Sequence, residues 1–215
     1  MKDDETEPTA PVGPAGATSE APGEGSLGGD DTADLVRCIL VVEDDDDTAT
    51  LIGRMLASFG HAVRRATNGQ EAILVTQNNL PMLVVMDVMM PHIDGFETTR
   101  YLKVRYPGYL PVMILTALDD AESVRRAQVV EADHYLTKPV RRATLQEAVE
   151  LLVALSVAED GAADDPAGVV EARLAIAEQL WAQGLGRVAV GHLTRLRALA
   201  PDDPRVLDLQ KRLGE

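Results

Sequence analysis

Cysteine, aromatic side chains and positive charge are all scarce in this 215-residue sequence. The single cysteine, Cys38, excludes an internal disulfide framework and fits a reducing compartment. Aromatic residues are only 3% of the chain, too few for the stacking platforms that grip single strands or flat ligands. Lys and Arg number 20 against 35 Asp and Glu, a formal net charge of -15, which excludes a whole-chain basic footprint for nucleic acid. No apolar run approaches the roughly 20 residues that span a bilayer. The opening MKDDETEPTAP has no basic-then-apolar signal pattern. These absences predict a soluble, cytoplasmic protein with no membrane and no nucleic-acid partner.

What is there falls into four stretches of different composition. Residues 1–34 hold nine acids (Asp3, Asp4, Glu5, Glu7, Glu20, Glu24, Asp30, Asp31, Asp34) and one base, Lys2. Val12 and Leu27 are their only large branched apolar residues, too little to offset the entropy of ordering. A disordered acidic leader is predicted, solubilising in the simplest reading and an acidic docking peptide in the other. Residues 35–159 carry the strand and helix patterns. Residues 160–165, DGAADD, followed by Pro166, read as a linker or helix stop. Residues 166–215 read as helices.

The second stretch alternates two periods. Cys38 to Val42, Met82 to Met86 and Val112 to Leu115 are continuous apolar runs, as expected of strands covered on both faces. His61 to Ala66 and His134 to Thr137 are shorter strand candidates. Helical patterns lie between them: Thr48 to Ser58, Gln70 to Gln77, Phe96 to Tyr106, Asp120 to Val130, and the amphipathic Arg142 to Leu155. Five strand–helix units with short connections predict an α/β fold, a (βα)5 doubly wound parallel sheet with helices on both faces.

In such sheets ligands bind beyond the carboxyl ends of the strands. The first strand is followed by Glu43, Asp44, Asp45, Asp46 and Asp47. The third is followed by Asp87 and then Val88-Met89-Met90-Pro91, the fourth by Thr116 and Ala117, the fifth by Lys138 and Pro139. Carboxylates crowded without bases invite a hard cation, and Mg²⁺ takes carboxylate and carbonyl oxygens while keeping waters that phosphate can displace. A carboxylate at such a site can accept a phosphoryl group as an acyl phosphate, with a lysine and a hydroxyl opposite the metal neutralising its oxygens. No Ser/Cys–His pairing stands at the strand ends to support acyl transfer.

ILVVEDD (39–45), VVMDVMMPHIDGFE (84–97), ILTA (114–117) and DHYLTKP (133–139) resemble the receiver domain of two-component response regulators, a flavodoxin-like fold, in order and at the family's spacing over about residues 36–156. The resemblance implies Asp87 as phosphoacceptor and Mg²⁺ as cofactor, held by Glu43, Asp44, Asp87 and the backbone carbonyl of Met89. It implies Thr116 and Lys138 on phosphoryl oxygens and a small Ala117 whose N–H can approach the phosphate. It also implies a cis peptide bond at Pro139 and an aromatic switch at Tyr135, which turns inward when Thr116 moves. The implied phosphodonor is a sensor histidine kinase or a phosphotransfer protein. Three positions depart from the family's habit: Glu131 where glycine is frequent, Val140 where phenylalanine is frequent, and Asp47 where proline is frequent. None removes a reacting group.

Plainer readings hold for other residues. Asp45, Asp46 and Asp47 suit a helix N-terminus. Met82, Met86, Met89, Met90 and Met113 suit packing, and Cys38 a buried, inert thiol. His61, His92, His134 and His192 show no ligand spacing. Arg125-Arg126 and Arg141-Arg142 read as solvated faces, or alternatively as a dimer or partner contact.

In residues 166–215, Val170, Leu174, Ala177 and Leu180/Trp181 share one helical face, and Val188, Leu193, Leu196 and Leu199 another. Val206, Leu207, Leu209 and Leu213 suggest a third helix after Pro201-Asp202-Asp203-Pro204. Ala177, Gly184, Ala189 and Pro201 resemble one tetratricopeptide repeat, with Arg173 where tryptophan is usual. One unit cannot bury its faces alone, so it is expected to pack on another copy, a partner or the receiver. The sequence therefore predicts a response regulator that signals through protein contacts of residues 166–215 rather than through DNA, with a homodimer possible. A non-switching receiver-like scaffold is the alternative. No dedicated enzyme is expected, since Asp87-Val88-Met89 lacks the second acid of an Asp-x-Asp phosphatase.

Overall fold

The central strands of this chain bury both faces because their side chains alternate between two apolar layers. The computed structural model describes residues 37–108 and 110–214. Its sheet is built from β1 (Ile39–Val42), β2 (Val63–Ala66), β3 (Leu83–Met86), β4 (Val112–Thr116) and β5 (His134–Thr137), all parallel, in the order β2-β1-β3-β4-β5. The register places Ile39 beside Val63 and Leu83, Val84 beside Val112, and Met113 beside His134. The order turns back between β1 and β3, and the rim above those two strands is where the acidic residues gather.

The connecting helices are α1 (Asp46–Ser58), α2 (Gly69–Asn78), α3 (Gly95–Arg105), α4 (Ala121–Val129) and α5 (Arg142–Asp160). Leu40, Val42, Val84, Met86 and Val112 face one layer with Ala72 and Leu102. Ile39, Val41, Leu83, Val85, Met113 and Leu115 face the other with Ile52, Leu56, Leu145, Val149 and Leu152. The expected (βα)5 parallel sheet is therefore present, as are the helices predicted after it. The acids expected at a helix start are there: Asp45 caps α1 by accepting from the Thr48 N–H at 2.8 Å, and Asp46 and Asp47 occupy its first turn. Asn68, Asp94 and Asp120 cap α2, α3 and α4 in the same way. Cys38 is buried.

One boundary differs from the sequence reading. The last receiver helix was expected to stop at Leu155 but continues to Asp160, because Leu155 and Ser156 are buried and the chain turns only at Gly161. Asp165 then caps α6 (Pro166–Ala182), followed by α7 (Gly186–Leu199) and α8 (Pro204–Leu213). The expected disorder of residues 1–34 lies outside the described residues.

These three helices pack on the receiver. Helix α6 lies along α5, α7 packs against both α6 and α4, and α8 closes on α7. The apolar cluster runs unbroken from Ile39 of the sheet to Leu209 of α8. β5 is an edge of the sheet, and its side chains reach the added helices: the His134 ring meets Gln179 Oε1 at 3.0 Å. The His192 ring N–H donates to the Asp133 carbonyl at 2.8 Å, just before β5. The apolar stripes read from the sequence are only partly covered. Leu180 is fully buried, but Trp181, Leu199 and Leu207 stay 40–48% exposed, since among the described residues nothing stacks beyond α8.

Candidate functional site at the carboxyl rim of the sheet

Three carboxylates meet above β1 and β3. Glu43 and Asp44 directly follow β1 and Asp87 follows β3, so parallel neighbours deliver them to one place. One oxygen from each of Glu43, Asp44 and Asp87 lies within 4.8 Å of the others. Glu43 and Asp87 are buried and Asp44 is exposed. Lys138, from the end of β5, puts its Nζ 2.6 Å from Glu43 Oε2 and 3.1 Å from Asp87 Oδ2. Burial pushes the Glu43 carboxyl up from the usual range; the hydrogen bond from Lys138 opposes the rise and the nearby Asp87 adds to it. Three acids against one ammonium are under-neutralised, and their oxygens are the donor type of a hard divalent cation. The residues present fit such an ion.

The other expected residues surround this triad. Thr116 ends β4 and is fully buried, and its hydroxyl oxygen accepts weakly from the Leu118 N–H at 3.4 Å. Met89 lies two residues beyond Asp87 in the loop to α3, its side chain exposed. The Lys138–Pro139 peptide is cis, as the resemblance implied. Tyr135 is buried, and its hydroxyl donates to the Leu118 carbonyl. Burial, with Asp120 nearby, pushes the phenol up to about 12.

Two residues at the rim were not found from sequence. Arg65 of β2 donates to the Glu43 carbonyl at 3.0 Å and pairs with Asp46, so a cation braces the acidic loop from behind. Its alternating neighbours in VRRA gave no sign of direction. Gly95, the first residue of α3, sits so close to the β3–α3 loop that a Cβ would collide with the Asp87 carbonyl oxygen and lie 2.8 Å from Val88 Cα. This close approach needs glycine. Gly95→Ala should therefore cost roughly 1–3 kcal/mol through overpacking, read as a lower urea midpoint at unchanged denaturant slope.

Comparison with known proteins fits this geometry. Residues 39–150 match the family model described as the response regulator receiver domain. The transcriptional regulatory protein AfsQ1 of Streptomyces coelicolor is 35% identical over 115 residues, covering 54% of this chain and 50% of that protein. The regulatory protein VanRB of Enterococcus faecalis is 38% identical over 115 residues, covering 54% and 51%. The chain spans about half the length of these curated relatives. Among solved structures, a putative response regulator from Chloroflexus aurantiacus is 32% identical with a TM-score of 0.52, covering 55% of this chain and 98% of that one. The signal receiver domain of a signal transduction histidine kinase from Syntrophus aciditrophicus is 33% identical with a TM-score of 0.51, covering 55% and 90%. Among the described residues no helix is long and apolar enough to cross a membrane. With the strand order, the rim acids and the matched residues in agreement, this chain belongs to the response regulator receiver family.

Proposed function

We propose that the chain accepts a phosphoryl group on Asp87 and passes the change of state to other proteins through α6–α8. The observation that carries this reading is the convergence of Glu43, Asp44 and Asp87 with the Lys138 ammonium 3.1 Å from Asp87. Asp87 Oδ1 accepts from the Val88 N–H at 2.7 Å, which leaves Oδ2 as the nucleophile. Its oxygen forms the bond to phosphorus as the P–N bond of a phosphohistidine breaks, and the departing imidazole takes up a proton. Glu43, Asp44, Asp87 and the Met89 carbonyl would hold Mg²⁺, which when bound neutralises phosphoryl oxygens. Lys138 moves from Glu43 toward the new oxygens, and the Thr116 hydroxyl donates to another. A sensor histidine kinase or phosphotransfer protein is the donor, and the protein works in the cytoplasm. The acyl phosphate is a signal, with no further enzyme activity. Residues 35–159 act as the receiver, 160–165 as the turn out of it, and 166–215 as a tetratricopeptide-like contact surface.

The test is phosphorylation by a small donor such as acetyl phosphate, followed by intact mass. Wild type with Mg²⁺ should gain roughly 80 Da, one phosphoryl group, and neither Asp87→Asn nor wild type with chelator should. Equal labelling of Asp87→Asn would move the acceptor elsewhere. AfsQ1 is named a transcriptional regulatory protein, so a DNA duplex belongs beside candidate protein partners in the binding assay. One observation favours a non-switching scaffold instead. Tyr135 is already inward and bonded to Leu118, so the swing expected of a switch has no distance left to cover. Phosphorylation that leaves the amide spectrum of α4, β5 and α7 unchanged would establish that second reading.

A further inference from the structure

A guanidinium beside a cation site needs a reason, since like charges repel. Arg65, in the edge strand β2, stands in that position. Part of its charge is matched: Nη1 pairs with Asp46, the first residue of α1. Its remaining donors go to backbone. Nη2 donates to the Glu43 carbonyl at 3.0 Å and to the Asp44 carbonyl at 3.3 Å, and Nε reaches the Glu43 carbonyl at 3.3 Å. These carbonyls lie just past the last rung of the β1–β2 ladder, where the Glu43 N–H donates to the Ala66 carbonyl at 3.0 Å. The next N–H along, that of Thr67, turns away to Glu71 Oε2 at 2.7 Å. The arginine side chain therefore takes over from the backbone where strand pairing ends.

The three rim carboxylates are not held alike. Glu43 accepts from Lys138 at 2.6 Å, and Asp87 accepts from the Val88 N–H at 2.7 Å. Asp44 is exposed, and its carboxylate has no hydrogen-bond or ion-pair partner among the described residues. Its direction is therefore set by its own backbone. The Glu43 carbonyl lies in the peptide plane before Asp44 and the Asp44 carbonyl in the plane after it. Fixing both planes fixes the two soft dihedrals between them, and with them the direction of the Asp44 Cα–Cβ bond. We propose that Arg65 is a positioning residue for the metal: by holding both carbonyls it aims the Asp44 carboxylate at the place shared with Glu43 and Asp87. This deepens the phosphoacceptor reading and rests on it. Positioning outweighs repulsion because Asp46 offsets the guanidinium and the Arg65 side chain is 32% exposed, so solvent and salt screen the charge that is left.

The test is titration of the full chain with MgCl₂ alone at constant ionic strength, with the dissociation constant read from the amide shifts of Asp44 and Val88. Arg65→Gln should bind Mg²⁺ about tenfold more weakly, the usual size of effect when a group that orients a metal ligand is lost. Arg65→Lys keeps the charge but has no planar fork to span two carbonyls, so it should recover only part of that loss. The urea midpoint of the metal-free chain should stay near wild type in both variants. A charge acting alone gives a different pattern, with tighter binding in Arg65→Gln and wild-type binding in Arg65→Lys. Either of those results overturns the proposal, as does unchanged affinity in both variants. A metal-free midpoint that falls until the variants are partly unfolded in the titration buffer makes the loss one of folding and also overturns it. Wild type without a Mg²⁺-dependent shift at these amides defeats the metal reading of the rim itself, a failure distinct from any seen only in the variants.

Discussion

Lys103→Met should lower the unfolding free energy by about 3–5 kcal/mol, the usual cost of removing one partner of a buried ion pair. Lys103 leaves α3 on its inner side and puts its Nζ 2.6 Å from Asp133 Oδ2, with both side chains less than a tenth exposed. The same Asp133 oxygen accepts from the Val112 N–H at 2.8 Å, which fixes the start of β4 against the start of β5. Burial by itself would raise the Asp133 carboxyl. The Lys103 ammonium and the other positive groups around it outweigh that and hold it below the usual range. Without Lys103 a desolvated carboxylate is left with one neutral donor. Adding Asp133→Asn removes the stranded charge and keeps an acceptor for Val112, so the double variant should recover much of the loss. Urea denaturation of wild type, both single variants and the double variant checks the cycle. Additive losses would mean the pair contributes nothing as a pair.

Acidification should weaken the fold through His192. This ring is 1% exposed at the junction of α7 with the receiver, and burial pulls its pKa down to about 4. Its Nε2–H donates to the Asp133 carbonyl. Above about pH 6.5 the ring is neutral in folded and unfolded chains alike and has no effect. Between there and about pH 4 the unfolded chain binds a proton that the folded chain refuses, so stability falls as pH falls. The fall is on the order of 3 kcal/mol across the window. Burial also lowers the His134 pKa, and that ring contributes in the same direction. Asp133 adds its own loss when its carboxylate protonates, at lower pH. His192→Gln keeps a donor for the Asp133 carbonyl and cannot titrate, so its urea midpoint should change less between pH 6.5 and 4. Trp181, the only tryptophan, stands in α6 and reports the transition by fluorescence. Identical pH slopes for wild type and His192→Gln would refute the assignment.

Much of the fold was legible because buried parallel strands write continuous apolar runs. CILVV, MLVVM and VMIL announced β1, β3 and β4 before any coordinates. The rim acids were legible for a related reason: in a parallel sheet every strand delivers its next residue to the same edge. Glu43, Asp44 and Asp87 therefore converge where the strand ends placed them. Contacts between elements far apart in sequence were not legible. Lys103 reads as an ordinary lysine in the last turn of α3, although its position seven residues after Phe96 lies on the buried stripe and was the one available signal. His134 and His192 showed no ligand spacing, and their partners, Gln179 and the Asp133 carbonyl, are 45 and 59 residues away. The sequence left open whether the last 50 residues pack on a copy, a partner or the receiver. Periodicity identifies an apolar face but carries no information on what covers it.

The apolar layer that continues from Ile39 to Leu209 also limits how this protein can be dissected. Cutting after Asp160 would bare one side of α4 and α5 to water and strip the cover from β5. The fragment that family alignment would pick out is thus not a neutral subset of the whole. Biophysical work on an isolated receiver from this chain would describe a species with a freshly opened greasy flank, prone to pair through it.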